Sequence, residues 1–259
     1  MNRVLYRDLG LTDYADALEV QRSYFDPLVA AKAGGAAGGS DTAPDESPEM
    51  CLLLCEHPHV YTLGRSGQEG NMLVSESYLT SIGATFYRTD RGGDVTYHGP
   101  GQIVAYPILD LERLGLGLKE YIHAVEQAVI RTLADYGIAA GRSEGATGVW
   151  LTGPGPGKVN ISECPAAPAR KICAIGVRSS RFVTMHGMAL NVNTDLAWFG
   201  HINPCGFTDR GVTSLACELG ARQDIQAVKR ALVSHMEEIM NIKTYNYADR
   251  KKMGTQAPG

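Results

Sequence analysis

No apolar run in the 259 residues approaches the length of a membrane-spanning helix. The opening stretch, Met1 to Gly10, lacks the apolar core and small-residue cleavage site of an export signal, which points to a cytoplasmic protein. Charge of one sign is also scarce. The 24 Lys and Arg against 28 Asp and Glu leave a net charge of −4, so the net charge gives no general pull toward nucleic acid or anionic lipid and leaves only a local basic patch open. Six cysteines, at 51, 55, 164, 173, 205 and 217, show no tight paired spacing and read as free thiols rather than a disulfide framework. There is no Gly-x-Ser-x-Gly elbow, since Gly64-Arg65-Ser66-Gly67 does not form one. No Gly-Lys-Ser/Thr follows a glycine loop, which removes a mononucleotide P-loop. No internal repeat is visible.

What the chain does have is concentrated in residues 91–107. That run reads Arg-Gly-Gly-Asp-Val-Thr-Tyr-His-Gly-Pro-Gly-Gln-Ile-Val-Ala-Tyr-Pro. Glycines at this density let backbone approach a ligand closely and adopt positive φ. A guanidinium opens the run, an imidazole (His98) sits inside it, and the strand-like Ile103 to Leu109 follows. The segment reads as a cleft wall, or else as a glycine-rich turn carrying an incidental histidine.

Elsewhere the pattern is of alternating short strands and a few helices. Thr12-Asp13 offers an N-cap for a helix through Tyr14, Leu18 and Phe25, expected to end at Pro27. Met50 to Cys55 has strand length. Leu118 to Tyr136 places Leu118, Tyr121, Ile122, Val125, Val129 and Leu133 on one helical face, with Gly137 at the exit. Val149–Leu151, Lys171–Val177 and Phe182–Val192 read as strands, and Asp224–Met240 as a last helix. Residues 31–48 and 152–169, rich in Gly, Ala and Pro, are predicted to be flexible inserts. Helices do not alternate one for one with strands, so the expected fold is α/β of the α+β-like kind. It is a mixed β-sheet flanked by helices, in one domain over 1–259.

Three chemistries compete. Cys55, His57 and His59 alternate and could face a metal together, but Pro58 interrupts them and no second ligand pair stands at structural spacing; no metal is expected. A cysteine nucleophile needs a populated thiolate, which a nearby cation favours. Cys173 and Cys217 lie among apolar residues and read as core, and Cys164 sits in the Pro-rich insert. Cys205, between Asn203-Pro204 and Gly206, stands in a turn able to project its side chain, and is either a nucleophile or a turn cysteine. Lys171 heads an otherwise apolar run; it is either a solvated strand-edge residue or a desolvated base. A lysine–cysteine dyad can accept an acyl group and pass it to an amine.

Four segments in this order resemble the octanoyltransferases of lipoate biosynthesis: Arg91–Pro107, Lys171–Arg178, His186–Asn191 and Asn203–Gly206. The stretch Glu56–Arg65 resembles that family too, so the likeness covers most of residues 50–215. The resemblance implies the fold shared by biotin and lipoate protein ligases. It implies Cys205 as the acyl-carrying cysteine and Lys171 as the lysine that lowers its pKa and handles protons. It further implies substrate contact by Arg91, Gly92, Gly93, Asp94, Val95, Thr96, Tyr97 and His98, by Ala174, Ile175 and Gly176, and by Gly187, Met188 and Ala189. Octanoyl-acyl carrier protein would be the donor. Lipoyl domains of 2-oxoacid dehydrogenase complexes and the glycine cleavage H protein would be the acceptors, with no cofactor, nucleic acid or membrane involved. Gly92, Gly93 and the Gly99-Pro100-Gly101 turn are expected to supply backbone donors to an oxyanion. His98 either orients the acyl group, relays a proton, or is structural. The rival enzyme is an ATP-dependent lipoate or biotin ligase, and the non-enzyme rival is a silent acyl-binding module.

Overall fold

The computed structural model describes residues 1–34, 48–153, 169–203 and 210–246. Its first strand, β1 (Asn2–Leu11), leads into α1 (Tyr14–Gly34), whose buried stripe Tyr14, Ala17, Gln21, Phe25 and Leu28 recurs at helical spacing. The expected stop at Pro27 is corrected. Proline deletes one N–H, but the buried stripe runs across it, so packing carries the helix to Gly34 and takes residues 31–34 out of the predicted insert. The rest of that insert, 35–47, lies outside the described residues.

The chain continues through β2 (Cys51–Glu56), β3 (Val60–Leu63), α2 (Glu76–Ser81), β4 (Thr85–Arg88), β5 (Val95–His98) and β6 (Gln102–Ile108). After α3 (Leu111–Leu114) comes α4 (Leu118–Asp135). Glu120 Oε2 accepts from the N-cap Gly117 N–H at 2.6 Å, and Tyr121, Val125, Val129 and Leu133 are buried. Strands β7 (Gly141–Ser143), β8 (Ala146–Thr152), β9 (Ala169–Ser180), β10 (Val183–Asn191) and β11 (Gly211–Val212) follow. The chain then forms α5 (Leu215–Leu219), α6 (Ile225–Met240) and β12 (Ile242–Asn246). Asp224 caps α6 by accepting from Gln226 N–H, and Asn241 ends it at φ +50°. The second predicted insert reduces to residues 154–168, outside the described residues.

Among the described residues, nine strands form one sheet in the order β12-β1-β2-β6-β10-β9-β8-β7, with β11 added beside β9. Pairing is parallel among β12, β1 and β2 and antiparallel from β2 through β6, β10, β9 and β8, so the sheet is mixed, as expected. Helix α1 packs on β10 and β6, and α4 on β8, β9 and α6. A second sheet, β4-β3-β5, has its own apolar cluster built on Tyr61, Leu79, Tyr97 and Ile202. No helix among the described residues is long and apolar enough to cross a membrane.

Candidate active site

A cavity of about 610 Å³ opens between the two sheets. Its floor is β9 and β10, where Gly176 and Gly187 face one another in register. A Cβ on Gly176 would sit 2.7 Å from Gly92 O, and one on Gly187 would sit 2.1 Å from Ala105 O, so both positions demand glycine. The Arg91–Asp94 loop lies against this floor, with Gly92 N–H donating to Val177 O at 2.9 Å.

Arg91 is buried, and its guanidinium is spent on holding the loop. Nη2 donates to Thr62 O at 2.6 Å and Asp94 O at 2.7 Å, Nε to Thr62 Oγ1 at 3.2 Å, and Nη1 to Gly92 O at 3.0 Å. Asp94 in turn accepts from Gln68 N–H and the Asn71 side chain, latching the neighbouring turn. Two of the expected oxyanion donors are already committed, a correction. The Gly92 N–H binds Val177 O and the Gly101 N–H binds Glu56 Oε2 at 2.8 Å.

Of the predicted substrate-binding residues, Arg91 through Thr96, His98, Ala174–Gly176 and Gly187–Ala189 all line the cavity. Tyr97 does not. Alternation along β5 turns its side chain into the second cluster, where its hydroxyl meets His59 Nδ1 at 2.7 Å and its ring stacks on Trp198. His59 and His57 therefore serve different clusters. His57 bonds Thr12 O and the Tyr106 hydroxyl, and Cys55 Sγ lies 3.4 Å from His57 Nε2. The cavity is apolar on the α4 side, where it is lined by Leu118 and by Ile122, which also packs against the core.

Lys171 also lines the cavity, with Nζ 4.6 Å from the centroid of the Trp150 ring. Arg210 approaches the same indole at 5.2 Å. Val212 pairs in register with Lys171, and Thr213 N–H donates to Lys171 O. Cys205 falls in 204–209, outside the described residues, and so does the expected contact with Lys171; Cys164 lies outside them too. The three thiols described as free, Cys51, Cys55 and Cys173, are buried. Burial drives their pKa values up, that of Cys51 to about 12, which makes each a poor nucleophile. Cys217 is disulfide-bonded, which corrects the expectation of free thiols throughout.

The family described as the lipoyl protein ligase A/B catalytic domain matches residues 38–237. A curated octanoyltransferase from Bacteroides fragilis is 56% identical over 89% of this chain and 95% of its own length. One from Bacteroides thetaiotaomicron is 54% identical over 93% and 97%. The chain belongs to the octanoyltransferase family. It is accordingly an acyltransferase. Two solved structures share the fold at 16% identity. One is from an archaeal bipartite lipoate protein ligase system of Thermoplasma acidophilum (TM-score 0.60, 97% of this chain, 90% of that one). The other is a lipoate-protein ligase A bound with ATP (TM-score 0.59, 96% and 91%).

The cavity lining and the residues behind it also include groups that patterning along the chain misses. His186 lies in a strand yet has φ +61°, a strained conformation for a non-glycine residue, and its N–H is held by Gln21 Oε1. Its Nε2 contacts Asp90 Oδ1 at 2.7 Å, and Arg178 pairs with the other Asp90 oxygen. Burial lowers the His186 pKa against the pull of Asp90. Burial raises that of Asp90, but His186 and Arg178 outweigh it and hold the carboxyl below its ordinary range. Asp90 precedes the glycine run and His186 opens the segment His186–Asn191; only their adjacency was hidden. Trp150, Gln102 and Asn191 carry no signal of their own in the sequence.

Proposed function

We propose that this octanoyltransferase moves an octanoyl group from the thioester of acyl carrier protein to the ε-amine of a lysine on a lipoyl domain, through a thioester on Cys205, in the cytoplasm. The Cys205 thiolate attacks the carbonyl carbon, the bond to the carrier sulfur breaks, and the leaving thiolate takes a proton from the Lys171 ammonium. The lysine amine of the acceptor then attacks the acyl-enzyme. It loses a proton to the Lys171 amine, and Cys205 leaves as thiolate, restoring the starting charges.

The observation that carries this reading is the composition of the cavity around Lys171. Leu118, Ile122, Ile175 and Met188 supply an apolar lining suited to an alkyl chain, and Lys171 stands in the same wall. The strand beside Lys171, β11, begins two residues after the stretch that contains Cys205. Among the described residues the free thiols Cys51, Cys55 and Cys173 are buried with raised pKa values, which argues against each of them as the nucleophile.

Intact mass after incubation with octanoyl carrier protein tests it. One octanoyl adduct is expected on the wild type and none on Cys205→Ala. Transfer should proceed with ping-pong kinetics and without nucleotide. Strict ATP dependence with free octanoate as donor would falsify the transferase reading in favour of a ligase, and an adduct on Cys164 would displace Cys205.

A further inference from the structure

A chain of buried amides ties His98 to the strand beside Lys171. Asn191 Nδ2 lies 3.0 Å from Thr213 O, and Gln102 Nε2 lies 2.8 Å from Asn191 Oδ1 and 3.2 Å from Tyr97 O. The far end is Gln102 Oε1, 2.8 Å from His98 Nδ1. His98, Gln102 and Asn191 are all buried, so water does not compete for these bonds.

Hydrogen-bond logic fixes every proton in the chain. Backbone carbonyls only accept, so Thr213 O requires the Asn191 nitrogen, which leaves Asn191 Oδ1 as an acceptor facing Gln102. Asn191 Oδ1 and Tyr97 O both require hydrogens, and Gln102 Nε2 has two to give. The Gln102 oxygen is thereby the atom left for His98, so His98 Nδ1 must donate. A neutral imidazole carries one N–H. Its Nε2 is then a bare lone pair on a residue that lines the cavity.

The ring stays neutral. Burial pushes its pKa down to about 3, and His57, Arg91 and His186 add to that effect against the opposing bond to Gln102. Tyr14 stacks on one side of the ring at 6.3 Å, and His57 meets it edge-on at 5.9 Å. An imidazole so hard to protonate is a fixed hydrogen-bond acceptor, neither a proton relay nor an oxyanion donor.

A lone pair in the cavity wall repels a carbonyl oxygen and an alkyl chain gives it nothing. Of the reacting groups that the two substrates bring to the proposed transfer, the incoming amine is the one with N–H donors. We propose that His98 Nε2 accepts an N–H of the acceptor lysine and aims the amine lone pair at the acyl-enzyme. Gln102 and Asn191 are positioning residues that hold the required tautomer. This rests on the acyl-transfer reading above. The transferred proton itself goes to Lys171, so no proton need pass through His98.

Two measurements test it. In ¹⁵N-labelled wild-type protein, two-bond correlations should show His98 protonated at Nδ1 and bare at Nε2, unchanged from about pH 8 to about pH 5, a range in which an ordinary imidazole titrates. A proton on Nε2, or titration near the ordinary value, overturns the lock. Gln102→Met removes the lock at similar volume. Aminolysis of preformed acyl-enzyme should slow roughly ten- to hundredfold, the size of one buried hydrogen bond, while acylation by octanoyl carrier protein changes less than about threefold. Equal loss in both half-reactions, or in neither, overturns the assignment to the amine. If Gln102→Met does not fold, the wild-type spectrum still decides. Failure of the wild type to form any acyl-enzyme counts against the proposed function instead, and leaves the tautomer result to stand or fall alone.

Discussion

On the β6 side of β10, His98 is held by four directional hydrogen bonds running through Gln102 and Asn191 to Thr213 O and Tyr97 O. On the β9 side, Lys171 rests its ammonium against the face of Trp150. The two side chains line one cavity, but different physics holds them. Amide hydrogen bonds weaken steeply with angle, so they dictate which nitrogen carries a proton and where the ring points. The attraction of a cation to an aromatic face is broad, so the indole steers the position of the ammonium more than its N–H directions. The first arrangement suits a group that must present one lone pair. The second suits the role proposed for Lys171, which gives a proton to one partner and takes one from the next.

The largest expected effect breaks the Lys171 side outright. Lys171→Ala should reduce transfer by about 10²–10⁴-fold, the usual size of a lost acid–base group, with little change in melting temperature. Next, Gly187→Ala strikes the floor that both sides share. Its Cβ would meet Ala105 O at 2.1 Å, so a loss of about 2–3 kcal/mol and roughly 5–10 °C in Tm is expected by calorimetry.

Trp150→Leu sharpens the contrast. It should slow transfer about tenfold by removing the ring that Lys171 Nζ lies against, with Trp150→Phe recovering most of the rate because a ring face remains. The loop behind His98 is probed by Thr62→Val, which strips Arg91 of a buried acceptor and should cost about 1–2 kcal/mol in urea denaturation.

The smallest effect, over the first pH unit below about 6.5, is on acid stability. His98 has a folded pKa lowered to about 3, below its unfolded value, so between that value and about 6.5 the unfolded chain binds more protons. Stability is therefore intact above about pH 6.5 and should fall on acidification by about 1 kcal/mol per pH unit from this group alone. His57 and His186, also lowered by burial, act in the same direction. A stability that rises on acidification from pH 7 to pH 5 would contradict the neutral ring.

Much of the fold was legible because its periodic elements are long. Helices α4 and α6 match their expected spans to within a residue or two, since each carries an apolar stripe over at least four turns. Strands β6, β9 and β10 were readable as apolar runs. The second sheet was not: β3, β4 and β5 have four residues each, too short for a pattern to separate them from turns. Pro27 misled in the opposite direction, because a helix lying on β6 and β10 can lose one hydrogen bond and continue.

The cavity divides the same way. The glycine run stands out by residue type, whereas Lys171 stayed open between an edge residue and a base until the family resemblance was added, and Gly176 and Gly187 entered through that resemblance alone. Sequence by itself pointed to several of the segments that line the cavity and to the family they resemble. Only tertiary structure decided what those segments do there. It turned Tyr97 away from the cavity, committed the Gly92 and Gly101 donors, brought Asp90 to His186, and set Gln102 against Asn191, 89 residues apart in the chain. Hydrogen bonds between distant strands follow from sheet register, and register is a property of the assembled sheet that no local run of residues contains.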